Sequence, residues 1–443
     1  MEAHGSYQQR IDAAVAHNRE SIVTFLQKLV SIPSITGSAG EGEVQRLVRR
    51  ELSGIPGIKL DVWEPSHPEF EGYPLSPVFP EPVPYTGRPN VVGLLEGQGG
   101  GRSLILNGHI DTASAEPIDQ WSVDPWSGTV RDGSLFGRGA ADMKAGVAVI
   151  VYVAKILASL GIQLKGNLII ESVVEEEFGG GGSLSALLHG YTADAAIITE
   201  PTGASSLCVG WNGSRYFKIR IQGRPAIANR AHEGINAIEL ACKCYQALTE
   251  LGKRRLDRLL GKHPLFEKTG EGIFYSGGHP TNLTIGLLKA GDWPATVAGW
   301  AELMGRIGFP PSETGDEIEM QVEECIHHLS QTDAWMSRKA PEVIWYGPRR
   351  EGDEINQYEP LVLELTRHIQ TAVGAVPDLF GSPTTGDITY LAHRVQDYGG
   401  VPSVMYGPGG GNAHAIDEFV YVEEIFQTLR AISFFVIDWC GVA

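Results

Sequence analysis

The sequence predicts an α/β protein that carries a compact α+β insert, and three features lead to that class. Between residues 90 and 200, strand-like apolar runs (NVVGLLEG, SLILNGHI, NLIIESVVE, AAIITE) alternate with the apolar helical run GVAVIVYVAKILASL. Such alternation builds a layered, largely parallel sheet flanked by helices. From about Tyr216 the order becomes strand, helix, strand, strand, helix, strand, which is that of a ferredoxin-like sandwich. The tail, 355–443, then returns to helix and strand alternation. At 443 residues the chain exceeds what one core usually supports. The expected division is therefore a discontinuous domain made of 1–213 and 348–443, holding an inserted domain at 214–347.

Taken in order, the N-terminal stretch has an amphipathic helical pattern, SIPSITG is a loop, and EGEVQRLVRRELSGI is a second helix. Residues 61–90 are rich in proline and have little periodicity, so they read as an ordered loop or lid. In the insert, YFKIRIQG is a strand and INAIELACKCYQALTEL a helix. TNLTIGLLKAG and TVAGWAELMGRIGF form a strand pair, EIEMQVEECIHHLSQTD a helix, and PEVIWYG a short final strand.

Composition narrows the partners. A net charge of −18 opposes binding to nucleic acid or to an anionic membrane, both of which need a basic surface. No run approaches the length of a membrane span, and the N-terminus lacks a signal-peptide layout. The cysteines Cys208, Cys242, Cys244, Cys325 and Cys440 lack paired metal spacing, which suits a reducing cytoplasm.

Several strand ends carry metal-capable side chains. LILNGHIDT places His109 and Asp111 two apart, on one side of a strand, so that Asp111 can accept a hydrogen bond from the imidazole and set its tautomer. GRGAADMKAG holds Asp142 in a glycine-flanked turn. VVEEEFGGGG holds Glu175, Glu176 and Glu177, IITEPTG ends a buried strand on Glu200, and GPGGGNAHAIDEF carries His414. Unpaired buried charge is heavily penalised, and a metal relieves the penalty. Two histidines with three carboxylates suit two borderline divalent cations sharing a carboxylate bridge. The tryptophans of WSVDPW read as packing or as the rim of a pocket. The GGGG run reads as a place where backbone approaches closely rather than as a phosphate loop.

These motifs, in the order HxD, GRGxxDMKxG, EExGxxG, EP and GPG…H, resemble the M20 metallopeptidases and deacylases over nearly the whole chain. The resemblance implies two divalent cations, zinc in the first place with cobalt or manganese as alternatives. Asp142 would bridge them, with His109 and Glu200 on one and Glu177 and His414 on the other. Glu176 would be the general base, and Asp111 a catalytic neighbour of His109. It further implies a cytoplasmic hydrolase that cleaves a C–N amide bond of a small N-acyl amino acid or peptide-like substrate, dimerising through the insert.

Two positions depart from the family pattern. Where relatives carry an oxyanion-binding histidine in G-x-x-A-H, the sequence GRPAIANRAHEG has Ile227, and His232 lies five residues further on. Where many carry T-D-x-R, SPTTGDITYLAHR has Asp387 but Thr389, with Arg394 nearby. These departures keep open a second reading, hydrolysis of a different C–N or ester bond on an aromatic or heterocyclic substrate. A non-catalytic metal-binding protein is the third.

Overall fold

The computed structural model describes residues 2–77, 79, 82–268, 278–395 and 398–443. Its large sheet runs in the order Ile58–Trp63, Asn90–Leu95, Leu168–Val173, Leu104–His109, Ala196–Ile198, Ser403–Met405, Ser206–Trp211, Asp353–Glu354, and Asp378–Ser382 also pairs with Ser206–Trp211. The centre of this sheet is parallel: Leu104–His109 pairs in parallel with both Leu168–Val173 and Ala196–Ile198, and the latter with Ser403–Met405. The flanking strands from Ile58–Trp63 to Leu168–Val173 are antiparallel. Parallel strands covered on both faces read as continuous apolar runs, and these central strands are buried along their length.

The helix Ala145–Ser159 is apolar nearly all round because it is wrapped by neighbours. It packs on Glu2–Val30 and Val422–Trp439, and Val149, Ile150, Val151 and Val153 have no exposed surface. Burying each such side chain contributes about 1.5–3 kcal/mol. Among the described residues no helix is long and apolar enough to cross a membrane.

The insert has its own sheet, in the order Asn282–Ala290, Trp300–Phe309, Gly213–Gln222, Glu342–Arg350, antiparallel throughout. This is the ferredoxin-like order that the element sequence predicts. Along Gly213–Gln222, Phe217, Ile219 and Ile221 face inward with period two, against Leu240, Cys244 and Leu248 of helix Ala237–Leu259 and Ile318 and Val322 of helix Gly315–Thr332. This core shares no residue with that of the large sheet. A capping box starts the second helix: Thr314 Oγ1 accepts from the Glu317 N–H at 3.3 Å, and Glu317 Oε2 accepts from the Thr314 N–H at 2.8 Å.

Three details differ from the sequence expectations. The proline-rich segment begins inside the strand Ile58–Trp63 and forms a short 3₁₀ turn at His67–Phe70; positions 78, 80 and 81 of it lie outside the described residues. The last strand of the insert is longer than PEVIWYG suggests and runs to Arg350. A third sheet, of Thr129–Arg131, Ser134–Phe136, Phe419–Tyr421 and Gly410–Gly411, was not foreseen, because strands of two or three residues leave no periodicity to read.

Thr314→Ala removes one half of the capping box, and should lower the unfolding free energy by about 1 kcal/mol, read as a shift of the urea midpoint at unchanged m-value.

Candidate dinuclear metal centre

His109 ends the central strand Leu104–His109 and is buried. Its Nδ1 lies 3.1 Å from the backbone carbonyl of Asp111 and 3.4 Å from Asp111 Oδ1, so the backbone oxygen is the nearer acceptor. The Asp111 carboxylate stays beside the imidazole, as the sequence expects, and against the effect of burial the hydrogen bond from His109 helps hold its pKa below the usual range. It accepts hydrogen bonds from Thr36 Oγ1 at 2.8 Å and from the N–H groups of Glu176 and Glu177 at 3.0 and 3.1 Å. Asp111 thus orients the imidazole through its carbonyl and its carboxylate, and pins the glutamate turn through the same side chain.

The other ring nitrogen of His109 faces two carboxylates. Nε2 lies 3.2 Å from Asp142 Oδ1 and 3.8 Å from Glu200 Oε1. On the opposite side, His414 Nε2 lies 3.3 Å from Asp142 Oδ2 and 2.8 Å from Glu177 Oε1. Each oxygen of Asp142 therefore serves a different imidazole. Ligand atoms of His109, Asp142 and Glu177 all fall within 4.8 Å of one another. Burial alone would raise the Asp142 pKa, but hydrogen bonds from His109 and His414 outweigh it and hold the carboxyl below the ordinary range. Burial, reinforced by Asp142, pushes Glu177 up to about 7 and raises Glu200 well above its usual value. Buried carboxylates that resist ionisation beside one another, with two imidazole nitrogens directed among them, form a donor set suited to two divalent cations.

Glu175, the first of the three glutamates, turns away from this cluster. It has φ +63° and is buried near Arg88, whose Nη2 is 3.7 Å from its carboxylate, while Arg88 pairs with Glu41. Glu176 faces the cleft and meets Arg350, whose Nη2 is 3.1 Å from Glu176 Oε1 and donates to the Glu176 carbonyl at 3.0 Å. The glycine run after the glutamates allows close packing: a Cβ on Gly180, at φ +76°, would lie 2.4 Å from Tyr390.

Asp142 is held through its backbone by a residue that sequence reasoning missed. The buried Glu418 accepts hydrogen bonds from the N–H groups of Gly139, Ala141 and Asp142, each at 3.0 Å, and from Arg138 Nη1 at 2.6 Å. It stands four positions after His414, directly after Asp417, so the available signal was an acidic pair close to a candidate ligand. Lys144, also buried, donates to the carbonyls of Leu29 and Ile32 at 2.9 and 3.0 Å, tying the Asp142 turn to the end of the N-terminal helix.

The cluster opens into a cleft of about 310 Å³ lined by Asp142, Glu176, Glu177, Glu200 and His414, by Tyr216 and Arg306 of the insert, and by Arg350, at the end of the strand that leaves it. Ile227 is not among its lining residues; it sits on an exposed turn of the insert, 60% exposed. His232 and Arg224 also lie outside the lining, with Arg224 over the Trp335 ring. Thr389 is buried, its Oγ1 3.1 Å from Thr385 Oγ1 and 3.2 Å from the Glu351 carbonyl, so it braces the Thr384–Gly386 turn under the cleft. Arg394 is exposed, and the guanidinium groups in the cleft come from Arg306 and Arg350 instead. Trp121 is a packing residue, its Nε1–H donating to the Ala115 carbonyl at 2.8 Å.

A parallel sheet with carboxylates and imidazoles gathered at one edge, faced by an inserted sandwich, is the architecture of a metal-dependent hydrolase. Residues 105–437 match the peptidase family M20/M25/M40. The chain is 32% identical to the N-formyl-4-amino-5-aminomethyl-2-methylpyrimidine deformylase of Bacillus subtilis, covering 96% of both chains. It is 27% identical to the succinyl-diaminopimelate desuccinylase of Xanthomonas campestris, over 73% of this chain and 80% of that one. In fold it is similar to the dipeptidase Dug1p of Saccharomyces cerevisiae, with a TM-score of 0.75, 14% identity and 98% of each chain covered. The chain belongs to the M20/M25/M40 family, whose members include a dinuclear metal-binding peptidase.

Two outcomes follow from this geometry. Glu418→Gln should weaken metal retention about 10- to 100-fold in a chelator competition, because the Asp142 turn loses its charged acceptor. His414, raised to about 11 mainly by hydrogen bonds to Asp142 and Glu177, is an imidazolium in the metal-free protein. Its folded pKa lies above the ordinary histidine value, so its stabilising contribution is full below about 6.5 and is lost as pH rises through about 11. Metal loading at pH 7.5 should therefore release protons, measured by calorimetry in buffers of different ionisation enthalpy.

Proposed function

We propose that the protein hydrolyses the amide bond joining a small acyl group, formyl in the first instance, to a compact heteroaromatic amine. The observation that carries the metal-dependent part is the sharing of Asp142 between His109 and His414, with Glu176 lining the same cleft. The near-complete coverage shared with the pyrimidine deformylase supports the substrate class. The amide bond agrees with the first reading of the sequence and the heterocyclic amine with the second.

His109 and Glu200 would hold one cation and Glu177 and His414 the other, with Asp142 between them; zinc suits this nitrogen and oxygen set, and cobalt or manganese are the alternatives. Cations held there would supply the acidity that makes water a nucleophile near neutral pH. Glu176 accepts the proton of the attacking water and delivers it to the leaving nitrogen. Arg350 holds the Glu176 carboxylate toward the cleft from the side, while Asp111 fixes its backbone. Residues 1–213 and 348–443 form the catalytic domain and 214–347 the lid. The edge strand Asn282–Ala290, with Leu287 and Leu288 exposed, supports a homodimer through the lid. The cytoplasm is the expected compartment.

Glu176→Gln should retain two metals per chain by elemental analysis while lowering kcat by about 10²- to 10⁴-fold on an N-formyl aminomethylpyrimidine. Turnover close to wild type would remove Glu176 from the proposed role.

A further inference from the structure

The insert places two side chains on the cleft wall that the proton and metal chemistry does not use. Arg306 and Tyr216 are register partners on the adjacent strands Trp300–Phe309 and Gly213–Gln222. On Gly213–Gln222, Tyr216 alternates with the core-facing Phe217, so it stands on the face of that sheet away from the insert's helices. Both side chains line the cleft over the four carboxylates Asp142, Glu176, Glu177 and Glu200.

Their bonding is incomplete in a specific way. Arg306 donates from Nη1 to Asn282 Oδ1 at 2.9 Å, and its guanidinium carbon lies 5.9 Å from the centre of the Tyr216 ring. Among the described residues Arg306 has no carboxylate partner, in contrast to Arg350, which is engaged with Glu176. A guanidinium carries five N–H donors in a fixed plane, so the single bond to Asn282 orients it and leaves donors for a ligand. Beside it, Tyr216 is half-buried and lines the same cleft, its ring 6.3 Å from that of Tyr346.

We infer that Arg306 and Tyr216 recognise the amine half of the substrate, a flat nitrogen heteroaromatic ring that packs on Tyr216 while a ring acceptor takes an N–H of Arg306. The inference rests on the amide-hydrolase reading above and adds which residues select the leaving amine. A flat ring uses both groups at once, whereas an aliphatic carboxylate uses only the arginine. A site that hydrogen-bonds its substrate rejects an analogue lacking that atom, because the buried donor is left unpaired.

The test compares three formamides on the zinc-loaded full chain: N-formyl aminomethylpyrimidine, N-formylbenzylamine, which has the ring without its nitrogens, and N-formylglycine. Arg306→Met should lower kcat/KM about 10- to 100-fold for the pyrimidine and leave the benzylamine within about 3-fold. Arg306→Lys should recover part of the loss, and Tyr216→Leu should weaken both ring substrates together. Equal loss on pyrimidine and benzylamine in Arg306→Met, or a larger loss on N-formylglycine, overturns the assignment. Calorimetric binding of aminomethylpyrimidine alone separates this inference from the proposed reaction. If the wild type cleaves none of the formamides, the reaction fails; ring recognition stands only if binding is present and weakens in Arg306→Met, and falls if the variant binds as the wild type does. Unchanged melting temperature and metal content in Arg306→Met exclude misfolding as the cause of its loss.

Discussion

The carboxylate of Asp142 lies between two imidazoles, one on each oxygen, and much of the molecule is organised to keep it there. A carboxylate removed from water needs a donor or a cation at both oxygens. The two histidines arrive from opposite ends of the catalytic sequence: His109 from the end of the central parallel strand, His414 from a loop held by the small third sheet. The turn carrying Asp142 is fixed by three backbone hydrogen bonds to Glu418, and Lys144 anchors it to the N-terminal helix. Segments distant in sequence thus converge on one side chain.

The glutamate turn shows how three identical neighbours acquire different surroundings. Glu175 has positive φ and is directed onto the buried Arg88 and Glu41 pair, where it is screened from the cleft. Glu176 and Glu177 both donate their N–H groups to the Asp111 carboxylate, yet their side chains part: one meets Arg350, the other His414. Local backbone geometry at Glu175 and a single carboxylate at Asp111 produce that separation.

The insert is more than a cover. Its last strand runs on to Arg350, whose guanidinium contacts the Glu176 carboxylate and carbonyl in the catalytic lobe. Its central strands bring Tyr216 and Arg306 to the wall. The departures noted in the sequence take a different meaning beside these residues. Thr389 is a buried brace, and cationic groups reach the cleft from another lobe. Ile227 lies on an exposed turn outside the cleft of its own chain.

The linear sequence was sufficient for the parallel centre, the buried helix and the ferredoxin-like order, because each is written as periodicity over many residues. It also drew attention to His109 and Glu200, because charged groups at apolar strand ends are costly and therefore conspicuous, while Asp142, the choice of Glu176 and Glu177 among three glutamates, and His414 rested on the motif resemblance. Glu418, Arg350, Arg306 and Tyr216 were not legible. Each sits in an ordinary polar or alternating context, and its surroundings come from strands and loops tens to hundreds of residues away. Only the folded chain decided that Glu418 would close on the Asp142 turn and Arg350 on Glu176, because a hydrogen bond depends on distance in space, which sequence separation does not record.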